Sequence, residues 1–116
     1  MSEITIYHNP RCSKSRQTLA LLTNRGLFPR IVHYLDAPPP AATLKRLLKM
    51  LAMHPRQLMR THEAVYTELG LDDPKLTDDE LIEAMASHPV LIERPIVEAG
   101  GRAAIGRPPE NVLQII

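Results

Sequence analysis

The sequence predicts an α/β domain built on a small mixed sheet. Three observations carry that prediction. The chain opens with a strand, helix and strand within about thirty residues; its middle has helical periodicity and no strand signal; and it closes with two short strands joined by Gly-Gly and followed by a helix. With 116 residues there is length for one domain with a modest core, so the middle helices read as an insertion at about 37–89 within a single domain spanning 1–116.

The opening strand covers Ile4, Ile6 and Tyr7. Asn9-Pro10 marks a turn, because Pro10 biases Asn9 towards extended backbone. A helix follows from Ser13 to Leu22 with Leu19 and Leu22 inward, and Gly26 supplies a left-handed stop. Residues 31–35 form a second strand, which the intervening helix makes parallel to the first. Leu44, Leu47, Leu48 and Leu51 then fall at i, i+3, i+4, i+7 in a helix over 41–53, with Lys45, Arg46 and Lys49 on its solvated side. His54-Pro55 breaks it, a short turn or helix covers 56–60, and another helix over 63–69 ends at Gly70. Thr77 and Glu80 have capping-box spacing and open a helix over 78–88. Strands over 95–99 and 102–105 make an antiparallel hairpin across Gly100-Gly101. Pro109 begins a final helix over 110–116. The order β-α-β, helices, β-β-α is the thioredoxin plan with its halves held apart.

Composition narrows the function. A net charge of +1 gives no electrostatic footprint for nucleic acid or an anionic membrane. The single cysteine rules out an internal disulfide framework and suits a reducing compartment. No leader pattern and no spanning apolar run are visible, so the expected location is cytoplasmic. One cysteine and scattered histidines lack ligand-pair spacing, so neither a metal nor a bound cofactor is expected.

That cysteine, Cys12, sits where the first strand turns into the first helix. Backbone N–H groups there lack intrahelical partners, and the helix dipole is positive. His8, Arg11, Lys14 and Arg16 surround it in sequence, with no acid between Glu3 and Asp36. Both features favour a thiolate. Position 18, where a cysteine phosphatase needs its phosphate-cradling arginine, is Thr18. Asn9 and Ser15 stand where a dithiol enzyme would carry a second cysteine, so nothing in the chain can resolve a mixed disulfide at Cys12. His8 is expected as a local base or cationic partner, the alternative being a satisfied core histidine. Ser15 either donates a hydrogen bond to the sulfur or helps start the helix.

From the opening Tyr7-His8-Asn9-Pro10-Arg11-Cys12 to the closing Arg107-Pro108-Pro109-Glu110, the sequence resembles the glutaredoxin-dependent, ArsC-type arsenate reductases. The resemblance implies Cys12 as nucleophile and Arg60, Arg94 and Arg107 as binders of the substrate oxyanion. It implies a cis-proline at Pro95 beside the site. It further implies arsenate as substrate, glutathione as co-substrate and glutaredoxin as partner. A related thiol oxidoreductase with another substrate fits the same residues. So does a regulatory adaptor that binds RNA polymerase, although that branch often carries a Cys-x-x-Cys switch and position 9 here is asparagine.

Overall fold

A computed structural model describes residues 3–116. The chain forms two compact units, one made of residues up to Ala37 together with Arg94–Ile116, the other of Pro38–Glu93.

The first unit holds the sheet. Its strands are β1 (Ile4–His8), β2 (Arg30–His33), β3 (Ile96–Ala99) and β4 (Arg102–Ile105), in the order β2-β1-β3-β4. Strand β1 pairs parallel with β2, Ile6 opposite Ile31 and His8 opposite His33. It pairs antiparallel with β3, Ile6 opposite Val97. The β3–β4 hairpin turns through Gly100 and Gly101 at φ 58° and 77°, a pair of positive φ angles that glycine adopts without steric cost. Strand β2 lies at the sheet edge, which leaves Ile31 43% exposed despite its apolar side chain. Helix α1 (Ser13–Asn24) runs two residues beyond its predicted end, and Gly26 takes φ 77° just after it. Ile6, Leu22, Val97 and Val112 form the core of this unit. The closing segment, predicted as an α-helix over 110–116, is a 3₁₀ helix over Pro109–Gln114. It is too short for the cooperative hydrogen bonding that stabilises α-helices, and it is anchored by burying Pro109 and Val112. The arrangement is a thioredoxin-like α/β fold.

The second unit is helical: α2 (Ala41–Leu51), α3 (Pro55–Leu58), α4 (Ala64–Glu68) and α5 (Asp78–Ser87), then a 3₁₀ turn at Pro89–Leu91. Helix α2 buries Leu44, Leu47 and Leu48 and packs on α5, which buries Leu81, Ile82 and Met85. The capping box is present: the Glu80 N–H donates to Thr77 Oγ1 at 3.2 Å, and the Thr77 N–H donates to Glu80 Oε1 at 3.0 Å. An isolated antiparallel bridge between Met59 and Ile92 closes the unit. Among the described residues no helix is long and apolar enough to cross a membrane.

Candidate active site

The site grows from the turn between β1 and α1. Asn9 Oδ1 accepts the Arg11 N–H at 3.0 Å, and the Asn9 carbonyl accepts the Cys12 N–H at 3.0 Å, so one residue fixes the bend. Arg16 Nη1 donates to the Pro10 carbonyl at 2.9 Å and ties the turn to the helix. Cys12 is the N-cap of α1, with φ −91° and ψ 123°, and is 7% exposed. Its carbonyl accepts the Arg16 N–H at 3.0 Å, the first bond of the helix.

Burial pushes the Cys12 thiol up, but stabilising contacts outweigh it. The Ser15 N–H, the Arg94 guanidinium by hydrogen bond and by charge, and the Lys14 N–H hold its pKa below that of an ordinary thiol. Arg107 Nη2 lies 3.8 Å from Sγ, within sulfur hydrogen-bond range. The same arginine donates through Nε to the Arg94 carbonyl at 2.9 Å, so the two guanidinium-bearing residues are fixed relative to each other. Asn111 Nδ2 in turn donates to the Arg107 carbonyl at 2.9 Å. The Arg94–Pro95 peptide bond is cis, and so is Arg107–Pro108, which sequence reading did not single out.

His8 and Ser15 are arranged differently from the simplest sequence reading. His8 Nδ1 is 2.6 Å from Ser15 Oγ, and that hydroxyl also accepts the Asn9 N–H at 3.0 Å. Burial first, then the nearby His33 and Arg16, push His8 below the usual imidazole range, which favours its neutral form. The cations that reach the sulfur are the Arg94 and Arg107 guanidiniums, while His8 Nδ1 is engaged with Ser15. Ser15 reaches the sulfur through its backbone N–H, while its hydroxyl holds His8 and Asn9. Together these bonds brace the turn that presents Cys12.

Arg60 belongs to the second unit. Its N–H donates to the Leu91 carbonyl at 2.7 Å and its Nη1 pairs with Glu93 Oε1 at 3.0 Å. Its Nε is buried with no hydrogen-bond partner among the described residues.

Two further positions shape the site and were missed in the sequence. Thr18 is fully buried on α1, in line with Ser15 and Leu22, and its hydroxyl donates to the Lys14 carbonyl at 2.8 Å. Gly106 packs against Thr18 and Pro95 so closely that a Cβ there would lie 2.8 Å from Pro95 Cγ, and closer still to Thr18 Oγ1. Its N–H donates to the Pro95 carbonyl at 2.9 Å. The clue was present as Ser15, Thr18 and Leu22 at i, i+3, i+7, a stripe with two small polar members. Such a stripe admits a backbone at close range where larger side chains would exclude it.

Comparison with known proteins agrees with this fold. The profile of the ArsC family matches residues 7–115. An arsenate reductase of Neisseria meningitidis serogroup A is 50% identical over 117 residues, covering all of both chains. A protein of Escherichia coli K12 described as uncharacterized, YfgD, is 56% identical over 98% of this chain and 97% of its own. The solved structure of an arsenate reductase from Vibrio cholerae superposes with a TM-score of 0.96 at 53% identity, over 98% of each chain. With its single cysteine at the strand-to-helix turn and the family profile spanning nearly its whole length, this chain belongs to the ArsC family.

Proposed function

We propose that the protein reduces arsenate to arsenite through Cys12, with glutathione as electron donor and glutaredoxin as the partner that restores the enzyme. One observation carries the reading: a buried thiol with Arg107 Nη2 3.8 Å from its sulfur and its pKa lowered by the Ser15 N–H and the Arg94 guanidinium. Full-length relatives named arsenate reductases support it. Arsenate is a tetrahedral dianion near neutral pH, and planar guanidinium groups bind such oxygens in bidentate fashion.

The Cys12 thiolate attacks arsenic(V); an S–As bond forms as an As–O bond breaks, and that oxygen takes up protons and leaves as water. Charge gathers on the remaining oxygens during attack, where cations already in place stabilise the transition state most. A glutathione thiolate then attacks the adduct. The new S–S bond joins Cys12 to glutathione, the S–As electron pair stays on arsenic, and arsenite departs. Two thiols have thus lost two electrons to arsenic. A glutaredoxin thiolate attacks the glutathione sulfur and releases Cys12. Dependence on glutathione assigns the reaction to a reducing compartment, the cytoplasm.

Purified protein supplied with arsenate, glutathione and glutaredoxin should form arsenite. Without glutaredoxin it should stall with one glutathione on Cys12, visible by intact mass. Arsenite formation by Cys12→Ser, or none by the wild type under these conditions, overturns the reading.

A further inference from the structure

Beside the Cys12 turn lies a depression of about 270 Å³, lined by His8, Asn9, Arg11, His33, Leu35 and Asp36. It opens at the carboxyl ends of β1 and β2, where His8 and His33 are register partners. Crevices at the carboxyl ends of parallel strands are where open α/β sheets take their ligands. The wall it shares with the active site is the Asn9–Arg11 turn, whose Asn9 carbonyl holds the Cys12 N–H.

The lining is chemically mixed. Arg11 offers an exposed guanidinium and Asp36 an exposed carboxylate, and among the described residues neither side chain has an ion-pair partner. Leu35, 40% exposed, adds an apolar surface. His8 spends Nδ1 on Ser15. In the tautomer where Ser15 donates that bond, Nε2 carries a proton and has no partner among the described residues. No group of three His, Cys, Asp or Glu side chains among the described residues could hold a metal ion, so the two histidines and Asp36 do not make a metal centre. A cation, an anion, an apolar strip and a hydrogen-bond donor in one small hollow match a zwitterionic peptide better than a simple anion. Its volume, just below the usual range of ligand pockets, suits a ligand of tripeptide size held partly in the open.

We propose that this depression seats the peptide thiol that resolves Cys12, a glutathione-class tripeptide, with a carboxylate on Arg11 and its ammonium on Asp36. The inference rests on the reading that an external thiol completes the reaction, and it adds where that thiol docks. It also separates the two substrates: the oxyanion meets Arg94 and Arg107, while the tripeptide meets the opposite end of the same turn. Exposed charge pairs are individually weak and screened by salt, so the site should bind modestly and lose affinity as ionic strength rises.

The probe is S-methylglutathione, which keeps both carboxylates and the ammonium but cannot exchange with a thiol. Titrated into wild-type protein and followed by two-dimensional amide NMR, it should shift signals at residues 8–11 and 33–36 and saturate. The double variant Arg11→Ser/Asp36→Ser, its fold checked in the same spectra, should bind about tenfold more weakly. In turnover it should raise the KM for glutathione by a similar factor while the KM for arsenate stays put. Binding of S-methylglutathione requires no reaction, so intact binding without arsenite formation would sink the arsenate reading and leave the docking site standing. Shifts confined to other surfaces, no saturable binding, or arsenite formation by the double variant with an unchanged glutathione KM would sink the docking site and leave the arsenate reading standing.

Discussion

Replacing Gly106 by alanine tests how tightly the site is built. Ordinary contact for a Cβ begins near 3.4 Å, yet the added carbon would lie 2.8 Å from Pro95 Cγ and 3.1 Å from Thr18 Cγ2, with Thr18 Oγ1 nearer than either. All three residues are buried, so the strain has no route to solvent. Overpacking of this kind costs about 1–3 kcal/mol, which for a chain of this size is a fall in Tm of roughly 4–12 °C. Function should suffer beyond stability. The Gly106 N–H holds the Pro95 carbonyl, and Arg107, the next residue, contacts both the Arg94 carbonyl and Cys12 Sγ. Misplacing that guanidinium should lower kcat/KM for arsenate roughly ten- to hundredfold. Thr18→Ala removes two of the three offending atoms, so the double variant should recover at least about 1 kcal/mol relative to the sum of the single effects. Urea titration of the four proteins in the cycle, with arsenate kinetics on each, measures both quantities. A Gly106→Ala protein with wild-type stability and kinetics, or strictly additive effects in the cycle, would refute the close-packing account.

The rate of Cys12 alkylation against pH should show a midpoint below about 8.5, the value of a free thiol, and Arg94→Gln should move it upward; a wild-type midpoint at or above that value contradicts the activated thiolate. The same shift couples folding to pH. The folded thiol has the lower pKa, so between the two values the unfolded chain holds more protons and stability rises with pH. That contribution is fully present above the unfolded thiol's pKa and is lost as pH falls through the folded one. The stability difference between wild type and Cys12→Ser, read from urea midpoints, should therefore be larger in favour of the wild type at pH 9 than at pH 5; a difference independent of pH would count against it.

The sequence exposed those parts of the fold that depend on local order. The parallel β1–β2 pair followed from a strand, helix and strand in quick succession, and the hairpin from Gly100-Gly101. Thr77 and Glu80 announced α5 because a capping box is a contact between near neighbours. The chemistry at the sulfur was only partly legible. Charge near Cys12 in the chain pointed to His8, but which cation reaches a sulfur is decided by folding, and Arg94 and Arg107 arrive from the segments just before β3 and just after β4. The roles of Ser15 and Thr18 were hidden for a related reason. Sequence reading set Ser15 against the sulfur or at the helix start and saw in Thr18 only a missing arginine, because their buried partners, the His8 ring on one side and Gly106 on the other, are brought to them by folding.

Arg107 stands 95 residues after Cys12 in the chain. During synthesis the nucleophile is therefore made well before Arg94, the guanidinium that helps acidify it, and before Arg107. Until they arrive, Cys12 is an ordinary thiol, about 3% ionised at pH 7. A nascent or unfolded chain is correspondingly slow to react with electrophiles and disulfides, and reactivity switches on with the completed fold. Damage that draws Arg94 away from the sulfur would raise the thiol's pKa and slow it rather than leave it loose and more reactive.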